Sequence, residues 1–133
     1  MADVTDQARA MVVGSHPVFP VPDPAATAHY YTTVLGFRAV SYLDAAEPHV
    51  CLYRDGVEVI LTLAPTAARP NRDLYGYGYD AYFITAEQAR LQAEFEAAGA
   101  RVVRPLTRTD YHNDEFVVED PDGRWLAFGL KTG

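Results

Sequence analysis

Nine side chains of this 133-residue chain stand out as candidates to bind or react, and seven of them form two chemical sets. His16, His49, Glu58 and Asp80 are imidazoles and carboxylates, which can ligate a divalent ion or move protons. Tyr53, Tyr82 and Trp125 offer flat π surfaces, each worth about 0.5–1.5 kcal/mol when offset against another ring. Tyr111 and His112 sit in a turn-rich stretch where they can rim a site. Cys51, the single cysteine, lies in the apolar run HVCLY. It can form no internal disulfide and no cysteine-based zinc site, and an inert buried thiol is expected there. No Ser-His-Asp order, phosphate-cradling glycine loop or nucleic-acid motif accompanies these residues.

The elements that must position them repeat. His16–Val21, HPVFPV, is a strand whose prolines suit an edge or an exchanged position. Asp23-Pro24 is an N-cap with proline at the first helical position, and AATAHYYTTVL continues helical to Gly36. FRAVSYLD, HVCLYR and VEVILTL are extended, with an Asp55-Gly56 hairpin between the last two. The order then recurs: DAYFIT extended, EQARLQAEFEAA helical to Gly99, ARVVRP and EFVVE extended, a turn at Asp122-Gly123, and RWLAFGL closing the unit. Leu106–Asn113 is expected as a longer loop. LYGYGYD is expected as an extended linker that sets Tyr75, Tyr77 and Tyr79 on one side.

This pattern predicts an α+β fold in one domain over 1–133. Module one spans 15–64, a linker 65–78, and module two 79–131. Two tandem βαβββ modules would form a curved mixed sheet, with helices outside and a concave ligand cleft inside. Strand parity gives the cleft Trp125 and Ala127, Asp80, Tyr82 and Ile84, then His49, Cys51 and Tyr53, then Glu58, Ile60 and Thr62. Leu126, Phe128, Phe83, Val50 and Leu52 go to the helix side.

Composition narrows the partners. The net charge is −7, which disfavours nucleic acid and anionic membrane surfaces. No apolar run approaches the roughly 20 residues of a membrane span, and the acidic start lacks a signal-peptide pattern, so a cytoplasmic protein is expected.

HPVFPVPDPAATAHYYTTVLGF resembles the opening of the glyoxalase/bleomycin-resistance/extradiol-dioxygenase superfamily, and EFVVEDPDGRWLAF resembles its closing hairpin. The resemblance covers about residues 15–130. It implies metal ligands at the first and last strands of each unit, positions matched here by His16, Ile60, Asp80 and Ala127. Ile60 and Ala127 have no donor. Glu58 lies roughly 6–7 Å along the strand from Ile60, and Glu119 lies on another strand. No metal or other cofactor and no catalytic residue is therefore assigned.

Within the superfamily the chain looks most like the bleomycin-resistance branch, whose dimers exchange first strands and sequester an antibiotic unchanged. The expectation is a homodimer with first-strand exchange that binds a bulky aromatic natural product, with room for a cationic group. Trp125, Tyr82, Tyr53, His49, Glu58, Asp80, His16, Tyr111 and His112 would bind it. The alternative is an enzyme of the same fold, a metal-independent or degenerate-metal lyase, isomerase or dioxygenase using Asp80, Glu58 or His16 as acid or base.

Overall fold

The computed structural model describes residues 9–66 and 68–132. In chain order its elements are β1 (Val18–Val21), α1 (Pro24–Thr33), β2 (Arg38–Tyr42), β3 (His49–Arg54), β4 (Val57–Leu63), α2 (Asn71–Tyr75), β5 (Ala81–Ile84), α3 (Gln88–Ala97), β6 (Arg101–Arg108), β7 (Asn113–Glu119) and β8 (Trp125–Lys131). The local signals act as expected. Asp23 Oδ1 accepts the Ala26 amide at 3.1 Å, with Pro24 opening α1. Gly36 and Gly99 stop α1 and α3 with φ of 75° and 92°, a conformation that favours glycine.

The strands form two four-stranded mixed sheets of identical order, β1-β4-β3-β2 and β5-β8-β7-β6. The α+β architecture of two tandem βαβββ modules is therefore present, with one sheet per module. β1 is an edge strand, as its prolines require. It pairs in parallel with β4 of the same chain, Val18 opposite Ile60.

Two expectations need correction. The loop expected over 106–113 shrinks to the four residues 109–112, because β6 runs to Arg108 and β7 starts at Asn113. Arg108 Nε donates to Asp114 Oδ1 at 2.5 Å and the Thr109 amide to the Asn113 carbonyl at 2.8 Å, which closes a tight hairpin. The tyrosine linker is not evenly extended either. Tyr75 ends α2, and Gly76 and Gly78 take φ of 84° and 105°. These left-handed turns leave Tyr75 and Tyr77 exposed while Tyr79 packs onto module two.

Parity places the core correctly. Val50, Leu52, Phe83, Leu126 and Phe128 are all buried, in one cluster that spans both modules. Phe37 and Phe83 meet across the module boundary at 6.5 Å between ring centroids. Buried polar contacts lock the same boundary. The Tyr31 hydroxyl donates to Asp120 Oδ2 at 2.8 Å, Thr27 Oγ1 to Asp122 Oδ2 at 2.6 Å, and Arg124 Nη2 to the Pro20 carbonyl at 2.6 Å. The Arg124 guanidinium also lies 4.7 Å from the Phe19 ring centroid. The helix-covered faces of the two sheets thus share one core, and the opposite faces turn away from it.

Burial raises the Asp120 carboxyl above its ordinary 3.8, and the Tyr31 hydroxyl opposes that rise. A carboxyl raised in the folded state adds stability below its ordinary value, and this is lost as pH climbs through the folded value. Tyr31→Phe removes the opposing hydrogen bond and should cost about 1–3 kcal/mol at pH 7. The cost should shrink toward pH 4 as Asp120 takes up its proton, as measured by urea unfolding. Equal costs at the two pH values would contradict this. Gly129 gives a second test, since a Cβ there would lie 2.5 Å from the Asp114 carbonyl oxygen and 2.6 Å from both Glu115 Cβ and the Tyr82 hydroxyl. Gly129→Ala should lower stability by about 1–3 kcal/mol, and an unchanged urea midpoint would mean that β7 and β8 sit further apart.

Candidate functional site

Alternation along the strands gives each sheet an outer face, opposite the shared core. On the first sheet Tyr53 pairs with Glu58, Cys51 with Ile60 and His49 with Thr62. Cys51 is buried, as its apolar setting implies. His49 stacks on Tyr42 at 5.0 Å and its Nδ1 lies 2.8 Å from the Glu47 carbonyl oxygen. Arg38 covers the Tyr53 ring at 4.8 Å. His16, exposed before β1, stands 3.8 Å from Glu58.

The outer face of the second sheet is more elaborate. Across it Tyr82 pairs with Ala127, Ala127 with Val117 and Val117 with Arg104. Ala127 and Gly129 are small, so large neighbours close over the middle of the sheet. Glu115, opposite Gly129 and fully buried, is the centre of a polar cluster. Its carboxylate accepts from the Tyr79 hydroxyl, from the Tyr111 hydroxyl at 3.2 Å and from Asn113 Nδ2 at 3.2 Å. Arg104 Nη1 donates to the Tyr79 oxygen at 3.1 Å. Burial first, then Glu115, pushes the Tyr82 phenol up to about 12, and Tyr79 is raised further by burial and the same carboxylate. Both phenols therefore stay protonated at neutral pH and act as hydrogen-bond donors. Three atoms around this face, Tyr82 Oη, Asn113 Oδ1 and Arg72 Nε, are buried without a hydrogen-bond partner among the described residues.

Trp125 stands beside this cluster. Its Nε1 donates to Glu119 Oε1 at 3.1 Å, and Arg72 and Arg104 lie 5.1 and 5.5 Å from its ring centroid. Glu119 also binds Arg72 at 2.6 Å and Arg101 at 3.3 Å. Asp80 anchors the wall from below. Its two oxygens accept the amides of Asn71 at 3.0 Å and Trp125 at 3.1 Å, fixing α2 against the start of β8.

The nine sequence-derived residues thus separate. Trp125, Tyr82, Tyr111 and Asp80 gather on module two, and Tyr53, His49, Glu58 and His16 on module one. Among the described residues no hydrogen bond or ion pair joins the two groups. His112 is exposed in the β6–β7 turn at φ 70° and belongs to neither. Sequence reasoning missed Glu115, Arg104 and Arg72, set Glu119 aside as lying on another strand, and left Tyr79 in a linker. Alternation along EFVVE could have exposed Glu115 and Glu119. Arg104 was hidden, because register shifts flank it in β6 and break the alternation.

The superfamily's metal positions do not fit an ion here. His16 and Asp80 sit in different groups, both Asp80 oxygens are held by amides, and Ile60 and Ala127 bring no donor. Among the described residues no three His, Cys, Asp or Glu side chains converge. A cavity of about 620 Å³ opens elsewhere, between the β3–β4 hairpin and α3, over Phe37, Phe83 and Phe95. The Arg54–Glu94 pair, at 2.6 and 3.0 Å, crosses it and satisfies its own charge.

Comparison with solved structures finds this fold repeatedly. TioX from Micromonospora sp. ML1 is 22% identical with a TM-score of 0.65, over 90% of this chain and 100% of that one. UcmS2 is 21% identical with a TM-score of 0.68, over 91% and 98%. A genomically encoded fosfomycin resistance protein, FosX, from Listeria monocytogenes is 14% identical with a TM-score of 0.67, over 92% and 94%. No curated protein sequence gives a significant match. The family model for the Glyoxalase/Bleomycin resistance protein/Dioxygenase superfamily matches residues 15–128. With that match across both modules, the chain belongs to this superfamily.

Proposed function

We propose that the protein binds a bulky aromatic small molecule on the outer face of its second sheet and releases it unchanged, as a sequestering resistance factor would. The observation that carries this is the partly exposed wall of Trp125, Tyr82 and Tyr79 over a buried polar cluster, on the face of the second sheet that no helix of its module covers. Burying about 300 Å² of apolar ligand at roughly 25 cal/mol/Å² yields about 7.5 kcal/mol. Ring stacking adds to that, against the roughly 8 kcal/mol that micromolar binding needs after ordering costs. The resistance proteins that name the superfamily, and the fosfomycin resistance protein sharing the fold, support a resistance role, and the aromatic wall carries the sequestering part of the reading.

The proposed site is completed by a second copy of the chain. The two outer faces lie on different sheets, each turned from the shared core. A homodimer brings module one of one protomer opposite module two of its partner, and exchange of β1 is a way to tie them. Catalysis fits less well. The Asp80 oxygens already accept backbone amides, and Glu115 is occupied by two phenols and an amide. Glu58 and His16 form only a loose, partly exposed pair.

Titrating bleomycin-type, enediyne, mitomycin and quinone compounds while following the fluorescence of Trp125 tests the proposal. A ligand should give saturable quenching with a Kd of about 1 μM or tighter, and mass spectrometry should recover it intact. Conversion of the bound compound would overturn sequestration. Removal of the unpaired hydroxyl in Tyr82→Phe should leave the melting temperature unchanged or higher. A loss of about 1 kcal/mol or more would mean that the hydroxyl is paired within the protein.

A further inference from the structure

The charges on the second sheet's outer face are unevenly used. Glu119 is shared by Arg72, Arg101 and the Trp125 indole. Glu115 is taken by Tyr79, Tyr111 and Asn113. Asp80 holds two backbone amides. A cationic ligand therefore meets carboxylates that already have donors.

Arg104 is different. Half-buried on β6, it makes one hydrogen bond, to the Tyr79 hydroxyl at 3.1 Å. Among the described residues it has no carboxylate partner within ion-pair distance. Its guanidinium lies 5.5 Å from the Trp125 ring centroid and 6.0 Å from that of Tyr79. The register shifts on either side of it in β6 re-aim the side chain, a role irregular strands often play beside binding sites. A guanidinium has five donors in a planar fork that matches a carboxylate, and partial desolvation strengthens such a pair.

We propose that this face selects a planar aromatic acid, with Arg104 reading its carboxylate while the ring lies against the Trp125 and Tyr82 wall. The proposal rests on the aromatic-binding function above and fixes the charge of its ligand. It runs against the net charge of −7, which by itself would favour a cation, so local and overall electrostatics predict opposite preferences.

Three probes sharing one ring separate them: 2-naphthoate, 2-naphthylmethanol and 2-naphthylmethylamine, titrated by calorimetry at pH 7.5 into the full chain. The acid should bind about ten-fold or more tightly than the alcohol and the amine, as one charge-assisted pair implies. Arg104→Gln should remove that preference while changing the alcohol's affinity by less than about three-fold. Arg104→Lys, which keeps the charge without the fork, should restore part of it. Tighter binding of the amine, or a preference for the acid that survives in Arg104→Gln, would overturn the assignment. Equal binding of all three would overturn it too while leaving aromatic binding in place. Failure of every probe at millimolar concentration would remove both.

Discussion

One long helix can cover only one face of a four-stranded sheet, and each module of this chain has one such helix. The chain meets that constraint by joining its two helix-covered faces into a single core. Phe37 meets Phe83 there, Tyr31 reaches Asp120, and Arg124 crosses to the Pro20 carbonyl. The remaining two faces cannot pack on each other within the chain. Everything proposed about function follows from that geometry.

The two outer faces have different chemistry. The first carries a half-exposed mix of apolar residues with His49 stacked on Tyr42. The second sinks a carboxylate, Glu115, beneath three tyrosines, which is possible only because Ala127 and Gly129 leave room on β8. Burying a carboxylate is costly unless its oxygens are hydrogen-bonded. Tyr79, Tyr111 and Asn113 supply those bonds, and in doing so they hold the ring wall in place. Glu115 therefore orders the surface and Arg104 is left to read a ligand.

Much of this was legible in the sequence. The Asp23-Pro24 start, the two helix-ending glycines and the alternation along HVCLYR and RWLAFGL fix both modules and their core faces through local rules. What escaped depends on contacts that no local rule encodes. LYGYGYD looked like a uniform linker because alternation ignores left-handed glycines, and those turns send Tyr79 to Glu115 while leaving Tyr75 and Tyr77 in solvent. Asp80 looked like a free cleft acid, but its oxygens cap amides nine and forty-five residues away. The proposed homodimer came from the family resemblance, and no local rule encodes it.

The central claim is that the ligand surface is the outer face of the second sheet, and not the cavity beside α3. The single indole makes this directly observable. In a ¹H–¹⁵N spectrum titrated with 2-naphthoate, the Trp125 Nε1–H resonance and the amides of Glu115, Val117 and Ala127 should move together and saturate. Shifts confined to Arg54, Thr85, Arg90 and Glu94 would place the ligand in the cavity instead and contradict the account.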